Sequence, residues 1–508
     1  MNKILAGCTV LSLLLIFFGI NRGFDISDEG LYALLAVPDQ ENIAGIFNYD
    51  LFFKLFYKIT EIEFGIVGLR GLRLFFYLSA AISLTFFWKN LAGASKLLID
   101  HFLLSLLGLF AGYGFLPQSL SYNSLSVVLV CFWLALISLK DRSIIQHVLI
   151  GLVLAGLAYV KITACLGLGL LTLAWMILGN KVKLLSLLSL VLPFAAVEML
   201  LYFVLDDYAL SRMVEATHMM GNRNEYSFLL LLKYSAVGFF WLALVSIPFL
   251  ISSAIRTSRP KLASLILVLG LFILVWIAYA TTITGEWNHV VLLSTVAILA
   301  FFAPRLPFAA ISTNQRFLAL VLLVLPFVLH FGSNVYLLRL GIHYWVFWLL
   351  AAFYMCSLLH VKFLKYIRAS VGIVTVLLVA NGIWIHPFEQ EALWNATEEW
   401  SYGKESQIKL SKNQIDLLNI MEPLLNDEEE LLAFYRIPGI PYLLGKTSPK
   451  SPGFWTKSQV AFYFPNGISD NLIINHPHNS LPLGLDSNYH KKMFSMPNGE
   501  QLQVLWRD

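Results

Sequence analysis

Three carboxylates stand close together near the start of the chain, in the segment NRGFDISDEGLY of residues 21–32. Asp25, Asp28 and Glu29 follow directly on an apolar run of the length that crosses a membrane. Acidic side chains at such a boundary can act as a general base toward a hydroxyl, or hold a metal ion or the hydroxyls of a sugar. A solvated loop would tolerate each of them singly. Because they cluster beside an amphipathic segment, we interpret them as a candidate catalytic group.

A second group of residues is basic and lies on the side of the membrane where the topology described below does not favour Lys and Arg. Its members are Arg70, Arg73, Lys161, Arg212, Arg223 and Arg339. Each one alone could extend to lipid headgroups, or pair with an acid such as Glu63. Together they could neutralise a phosphate held at the outer leaflet, through arginine forks and a lysine charge. They are therefore candidate phosphate ligands.

Three further side chains are weaker candidates. Glu286 and His289, in GEWNH, have the spacing of one helix face and could bind a divalent ion, but two ligands are few and could simply satisfy each other. His218 lies near Glu215 in a long outer loop and could line a pocket, with the same alternative. The sequence contains no Gly-rich phosphate loop, Walker motif or Ser-centred elbow. Nucleotide chemistry and nucleic-acid partners therefore find no support.

These side chains need a membrane scaffold, because the chain is strongly hydrophobic. Of its 508 residues, 58% are hydrophobic and 13% are charged, and the mean hydropathy is +0.73. This composition excludes a water-soluble protein and predicts a polytopic α-helical membrane protein. Thirteen apolar segments predict transmembrane helices, at residues 4–20, 66–88, 97–113, 123–139, 144–160, 162–179, 184–205, 228–251, 262–283, 290–303, 317–331, 344–360 and 370–386.

The positive charges in the connections predict the orientation of these helices. Lys and Arg cluster at the N-terminus and on alternate connections, which is typical of the cytoplasmic side. We therefore expect a cytoplasmic N-terminus, and an odd number of spans puts everything after residue 386 on the outer side. Residues 1–386 are the predicted transmembrane domain, whose long outer loop 21–65 carries the acids. Residues 387–508 are a predicted α/β domain, because charge, Pro and Asn increase there and strand and turn patterns replace apolar helices.

The outer loop contains a predicted amphipathic helix. Asp50, Lys54 and Lys58 recur at a spacing of four residues, with Phe53 and Phe56 largely on other faces. This pattern is typical of a helix that lies in the membrane interface, with its polar stripe toward water and its aromatic rings in the acyl boundary. Such a helix would help to frame a cavity that opens onto the outer leaflet.

Taken together, these features resemble the GT-C glycosyltransferases. The resemblance rests on the cytoplasmic N-terminus, DISDEGLY after the first span, the interfacial helix, GLRGLRLFFYLSA entering the second span, the thirteen spans and the outer C-terminal domain. Within that superfamily the chain looks like the bacterial protein-mannosyltransferase-like branch, which includes the aminoarabinose transferase of lipid A. The stretch RIPGIPYLLGKTSPKSPGFW is similar to one in the outer domains of many such bacterial members.

The resemblance implies a transferase of the bacterial inner membrane that takes a sugar from a polyprenyl-phosphate donor, with inversion at the anomeric carbon. The acceptor would be a hydroxyl of a cell-envelope lipid, glycan or protein. Asp28 and Glu29 match the acidic pair of the first loop, so the resemblance makes Asp28 the candidate base. Arg70 or Arg73 matches the basic position at the second span and would face the donor phosphate. A lipid-linked donor also makes physical sense, because nucleotide sugars do not occur outside the cytoplasm.

One departure from the family pattern concerns the second outer loop. Many relatives place another acid there, whereas this chain has PQSLSYNSLS, with Tyr122 and Asn123 at the corresponding place. These two residues become candidates for lining the acceptor pocket. The departure leaves a divalent metal possible but not required, and it shifts weight to Asp25 as an alternative base.

Other functions compete with this interpretation. A polysaccharide polymerase or ligase also uses lipid-linked glycans, but it typically has a basic loop between late spans and no terminal domain. A flippase or transporter of lipid-linked sugars would place charged residues near mid-membrane and often contain inverted repeats. The chain shows few acids within its spans and no repeat. A membrane protein with a purely structural role is a further alternative.

Overall fold

The structure is a computed structural model, and it describes residues 3–93, 98–139, 143–179, 182–220, 228–307, 309, 311–403, 406–425, 430–468, 472–475, 489–495 and 501–506. In chain order its helices are α1 (Lys3–Gly19), α2 (Asp28–Leu35), α3 (Asp50–Thr60), α4 (Ile66–Ala92), α5 (Ile99–Phe110), α6 (Tyr122–Ile137), α7 (Ile144–Val160), α8 (Ile162–Leu178), α9 (Leu184–Leu205), α10 (Ala209–Met220), α11 (Phe228–Ile255), α12 (Pro260–Ile283), α13 (Asn288–Phe302), α14 (Thr313–His330), α15 (Leu337–Leu340), α16 (Trp345–Leu358), α17 (Leu364–Val379), α18 (Lys412–Met421), α19 (Gly439–Leu443) and α20 (Lys457–Tyr463). Its strands are β1 (Ala396–Tyr402), β2 (Ser406–Ser411), β3 (Leu432–Phe434), β4 (Leu472–Asn475), β5 (His490–Ser495) and β6 (Gln501–Trp506).

The apolar helices coincide with the predicted spans. Within the described ranges, eight helical segments are long and apolar enough to cross a membrane, and five shorter apolar helices account for the remaining predicted spans. The segment Leu337–Leu358, which joins α15 to α16, is almost entirely enclosed by other helices. Helix α12 instead exposes most of its apolar surface, as expected of a helix that faces lipid. The prediction of a polytopic helical membrane protein is confirmed.

Helix α3 is the segment predicted to lie in the interface, and both of its lysines are hydrogen-bonded to the protein. The ammonium of Lys54 donates to a carbonyl of the preceding loop at 2.7 Å, and that of Lys58 donates to the carbonyl at the end of α9. Both ammonium groups therefore bond to carbonyls of the protein, while the side chain of Lys58 is also exposed. The ring of Phe53 packs 5.7 Å from that of Phe64, while Ile59 is left 73% exposed at the end of the helix. Phe56 is 38% exposed as well, so apolar surface lies outward along the second half of the helix.

The region after the last membrane helix folds against the first outer loop. Strands β1 and β2 form an antiparallel pair, and a second sheet has the order β3-β4-β6-β5, in which β3 and β4 are parallel and the other neighbours antiparallel. The backbone N–H of Gly23 donates to the carbonyl of Lys409 at 2.8 Å, and the N–H of Lys409 donates to that of Asn21 at 2.9 Å. Beside them, the N–H of Gly439 in α19 donates to the carbonyl of Ile26 at 2.8 Å. The sheet region thus shares backbone hydrogen bonds with the loop that carries the acids.

Candidate active site

Asp25 closes the turn that starts helix α2. Its Oδ1 accepts hydrogen bonds from the backbone N–H and the hydroxyl of Ser27, at 2.8 and 2.7 Å, and its Oδ2 accepts one from the N–H of Glu29 at 3.0 Å. A carboxylate is favoured there because it satisfies free N–H groups at the positive end of the helix. The side chain is fully buried, and burial, followed by the charge of Asp28, raises the pKa of Asp25 well above its usual range. Asp25 therefore orients the acids that follow it.

Glu29 forms a buried ion pair with Arg70 at the outer end of α4. The Nε and Nη2 of Arg70 donate to Oε1 and Oε2 of Glu29 at 2.9 and 2.8 Å, and the hydroxyl of Ser119 donates to Oε1 at 2.5 Å. The other N–H groups of Arg70 donate to carbonyls of residues 19–23. All five guanidinium donors are thereby occupied, which leaves none for a phosphate. The pair instead ties together the first loop, the second loop and α4.

Arg73, one turn further along α4, is also enclosed. Its Nη1 donates to the carbonyl of Pro117 at 2.6 Å, its Nη2 donates to that of Gly112 at 2.9 Å, and its guanidinium lies 4.0 Å from the ring centre of Tyr113. The side chain is fully buried. Arg73 therefore holds the polypeptide between α5 and α6, rather than facing the space beside Asp28.

Arg212 lies in another part of the outer surface. It forms a bidentate pair with Asp50, with both distances 2.8 Å, and a second pair with Asp207. These contacts dock α10 onto the start of α3. Beside them a cavity of about 440 Å³ is lined by charged residues of both signs, among them Asp39, Glu41, Lys54, Asp207, Arg212 and Glu215. None of the three acids of residues 25–29 lines this cavity. Arg223 lies outside the described residues.

Asp28 differs from its two neighbours because its carboxylate is not used by the protein. The side chain is half-buried, and it accepts no hydrogen bond from the part of the chain that the structure describes. Burial raises the pKa of Asp28 to about 6, against a lowering by the Arg436 guanidinium and with a smaller increase from Glu389. A carboxylate with this pKa is ionised at neutral pH and yet basic enough to accept a proton. Asp28 is therefore the candidate base among the three clustered acids.

Aromatic side chains connect Asp28 to the second outer loop. The ring of Tyr32, one turn along α2, lies 6.2 Å from that of Tyr122, which stacks on Phe47 at 4.2 Å. Burial and the charge of Asp28 both raise the pKa of Tyr32 well above its usual range. Tyr32 and Asp28 are four residues apart and therefore share one face of α2. The contact of Tyr32 with Tyr122, the first residue of α6, places this predicted pocket residue on the same side of α2 as the acid.

The next residue, Asn123, is connected to Lys161 through Tyr344 and the carbonyl of Leu329. The hydroxyl of Tyr344 lies 3.3 Å from both Oδ1 of Asn123 and the carbonyl of Leu329. The ammonium of Lys161, at the break between α7 and α8, donates to the same carbonyl. The structure therefore brings three sequence-predicted residues together, Tyr122, Asn123 and Lys161, in a continuous series of contacts that starts at Tyr32.

Arg339 is connected to the surroundings of Asp28 through aromatic side chains. Its guanidinium is 51% exposed, lies 5.4 Å from the ring centre of Phe115 and pairs with Glu286 at 2.9 Å. Phe115 in turn packs at 5.6 Å on Phe388, the residue before Glu389, whose charge acts on Asp28. Arg339 is therefore an accessible cation that two aromatic rings connect to the segment of Glu389.

The weaker candidates have simpler explanations. The Nε2 of His289 lies 3.2 Å from Oε2 of Glu286, whose other oxygen contacts Arg339. These two residues thus satisfy each other, as the alternative interpretation of the sequence had it. His218 is exposed on α10, and it has no contact with the surroundings of Asp28 in the described ranges.

The donors around Asp28 do not fit a bound divalent metal. Asp25 and Glu29 spend their oxygens on N–H groups, a hydroxyl and a guanidinium, which leaves Asp28 as the available ligand of the cluster. Elsewhere in the described residues, no three His, Cys, Asp or Glu side chains are grouped to hold a metal ion. Hard cations require several oxygen ligands.

Sequence reasoning missed Arg436, Ser119 and Glu389. Arg436 and Glu389 reach the acidic loop from the far end of the chain, and only Arg436 lies in a stretch that the sequence singled out, RIPGIPYLLGKTSPKSPGFW. That stretch and DISDEGLY meet at the contact of α19 with α2. Both stretches resemble the same family, and this shared resemblance was the signal in the sequence that they could lie in one site.

The fold is similar to that of solved membrane proteins. The oligosaccharyltransferase of Archaeoglobus fulgidus, in a crystal structure of its complex with Zn and sulfate, is 12% identical to this chain, and the match covers 98% of this chain and 72% of that one with a TM-score of 0.50. Its apo form gives a TM-score of 0.49, and a complex with an inhibitory peptide and a dolichol-phosphate gives 0.48. No protein-family model and no curated protein sequence matches this chain. The likeness shows the fold, and the GT-C-like architecture expected from the sequence is confirmed.

Proposed function

We propose that this protein is a membrane glycosyltransferase that moves a sugar from a polyprenyl-phosphate donor to a hydroxyl of an extracytoplasmic acceptor. One observation carries the proposal: Asp28 is a half-buried carboxylate with free oxygens, a pKa of about 6 and cations nearby, in the outer loop that follows the first span. The fold that surrounds it is shared with an oligosaccharyltransferase. Fold alone does not determine chemistry, but the site and the fold support the same class of reaction.

The chemistry follows from the position and ionisation of Asp28. As the acceptor oxygen attacks the anomeric carbon, Asp28 takes the proton of that hydroxyl. The bond between the anomeric carbon and the phosphate oxygen breaks with inversion, and the phosphate leaves with the electron pair. Nearby cations stabilise the negative charge that develops on the leaving group. The base that removes the acceptor's proton and the cations that stabilise the leaving phosphate thus act on opposite sides of the reacting carbon.

The roles of the cations differ from those that the family resemblance implied. Because the donors of Arg70 are occupied and Arg73 is fully buried with both terminal nitrogens bonded to protein, we assign them to positioning the loops. Arg212 joins α3 to α10 and has no part in the reaction. Lys161, which is buried and donates to the Leu329 carbonyl, and Arg339, which is exposed and paired with Glu286, remain the proposed phosphate contacts. Tyr122 and Asn123 would border the acceptor.

The finer assignments extend this proposal. The bacterial protein-mannosyltransferase-like branch and the cell-envelope acceptor rest on the DISDEGLY and RIPGIPYLLGKTSPKSPGFW stretches, and the location in a bacterial inner membrane rests on them too. The neighbour crystallised with Zn raises the question of a metal. The residues around Asp28 do not fit one, and no step of the proposed reaction uses it.

Purified protein incubated with a panel of radiolabelled polyprenyl-phosphate sugars tests the proposal. We expect label to move from lipid to acceptor with wild-type protein, and transfer to fall at least about 100-fold in Asp28→Asn, the lower range for loss of a general base. Asp39→Asn removes an exposed acid of the same loop and should leave transfer unchanged. Full activity of purified Asp28→Asn would remove Asp28 from the mechanism.

The rival functions have distinct outcomes in the same assay. A flippase would move labelled lipid across vesicle membranes without breaking the bond between sugar and phosphate. A polymerase or ligase would act on lipid-linked glycans and ignore single sugars. Either result would replace the proposed function.

A further inference from the structure

The C-terminal region meets the acidic loop at a contact where only glycine fits. A Cβ atom added to Gly30 in α2 would lie 2.2 Å from the backbone N of Gly439, and one added to Gly439 would lie 2.5 Å from the Cα of Ile26. The hydrogen bond from the Gly439 N–H to the Ile26 carbonyl fixes the two backbones in this position. Residues shortly before Gly439 are therefore held beside the start of α2, where Asp28 lies.

Arg436 is the charged residue that this contact brings to the acid. Its backbone has φ +61°, in the left-handed region that favours glycine, and its N–H donates to the Phe454 carbonyl at 3.0 Å. Non-glycine residues in this conformation occur where the surrounding structure fixes them, often at functional sites. The side chain is exposed, and within the described residues its guanidinium has no hydrogen-bonded acceptor. An arginine fork is thus presented beside Asp28 with its donors available.

We propose that Arg436 is a phosphate-binding residue of this active site, supplied by the C-terminal region and directed at the lipid phosphate of the donor. This inference rests on the proposed function and deepens it. The N–H groups of Arg70 are occupied by protein acceptors, Arg73 is fully buried, and Arg339 is paired with Glu286. Arg436 is instead exposed, and a planar guanidinium pairs with phosphate oxygens in bidentate fashion. The placement also means that the site is complete only when the C-terminal region is docked on α2.

Binding of undecaprenyl phosphate to the purified full-length protein, followed by tryptophan fluorescence, tests the inference. Arg436→Gly is the main variant, because glycine adopts φ +61° without strain and only the side chain is lost. We expect its Kd to rise about tenfold or more, and the Kd of Arg436→Lys, which keeps the charge but loses the planar fork, to lie between those of wild type and Arg436→Gly. Lys412→Ala removes an exposed cation from the same region and should bind as wild type does.

Two further ligands separate the possible results. Undecaprenol, which has no phosphate, should bind wild type and Arg436→Gly equally, and inorganic phosphate should compete only weakly. If wild type prefers the lipid phosphate and Arg436→Gly binds it unchanged, Arg436 is not a phosphate ligand although the proposed function stands. If wild type does not distinguish phosphate from alcohol, both ideas fail. Equal binding of inorganic phosphate would overturn the assignment to a lipid.

Discussion

At the scale of single residues, the three acids of the first loop have three different surroundings. Asp25 caps the helix, Glu29 pairs with Arg70, and Asp28 accepts no hydrogen bond from the described part of the chain. The difference follows from geometry: successive helical residues point to different faces, so adjacent acids meet different partners. One short acidic segment therefore supplies a cap, a structural ion pair and a candidate base.

The pKa of Asp28 predicts how transfer depends on pH. A general base acts only when ionised, so activity should be nearly full above pH 7 and fall as pH decreases through about 6, to roughly a tenth near pH 5. The groups that face Asp28 are Asp25, Tyr32, Arg436 and Glu389. Initial rates at saturating donor between pH 5 and 8 give the profile. A rate that stays constant down to pH 5 would contradict the assignment.

The pair of Glu29 with Arg70 predicts a large effect on stability. Removing one partner of a buried ion pair leaves an uncompensated charge and typically costs about 3–5 kcal/mol. We therefore expect Glu29→Gln to lower the free energy of unfolding by several kcal/mol, measured by denaturant titration in detergent. Glu61→Gln, at an exposed position after α3, is the matched control and should change it little. An equal effect of the two substitutions would mean that the pair does not hold the loops together.

At the scale of elements, the packing of α2 on α19 is the contact on which the site depends. Gly30→Ala would place a methyl group 2.2 Å from backbone, so the two elements must separate and Asp28 would shift. We expect transfer to fall at least about tenfold, since misplacement by about 1 Å can cost up to about 100-fold. Gly71→Ala in α4 meets no atom within 4 Å and should leave transfer unchanged. Normal activity in Gly30→Ala would show that the contact is not required.

The elements also show how far a sequence alone can lead. The thirteen spans were predictable because length and apolarity suffice to identify a membrane helix. The polar stripe of α3 could be predicted from its period, but the bond from Lys58 to a carbonyl of a helix about 150 residues later could not, because periodicity carries no such information. Likewise, the sequence could single out the acids of the first loop as candidates, whereas the partners of Arg70 and Arg212, and the approach of Arg436, required the tertiary fold.

At the scale of the whole molecule, two distant parts of the chain form one surface. The first loop carries the acid, and the region after the last span bonds to that loop through Gly23, Lys409 and Gly439. Both must therefore lie on the same side of the membrane. This requirement does not depend on the distribution of Lys and Arg. It agrees with an odd total number of spans, because an even number of spans then separates the first loop from the C-terminal region.

The shared surface predicts a topology that can be measured. Thirteen spans would put the N-terminus and C-terminus on opposite sides, and the distribution of positive charges predicts a cytoplasmic N-terminus. In a bacterial host, alkaline phosphatase fused after residue 508 should be active, because it matures only outside the cytoplasm, and green fluorescent protein fused there should be dark. A cysteine introduced at exposed Asp39 should react with a reagent that does not cross membranes. A fluorescent C-terminal fusion would place the loop and the sheet region inside the cell, where a lipid-linked sugar facing outward could not reach Asp28.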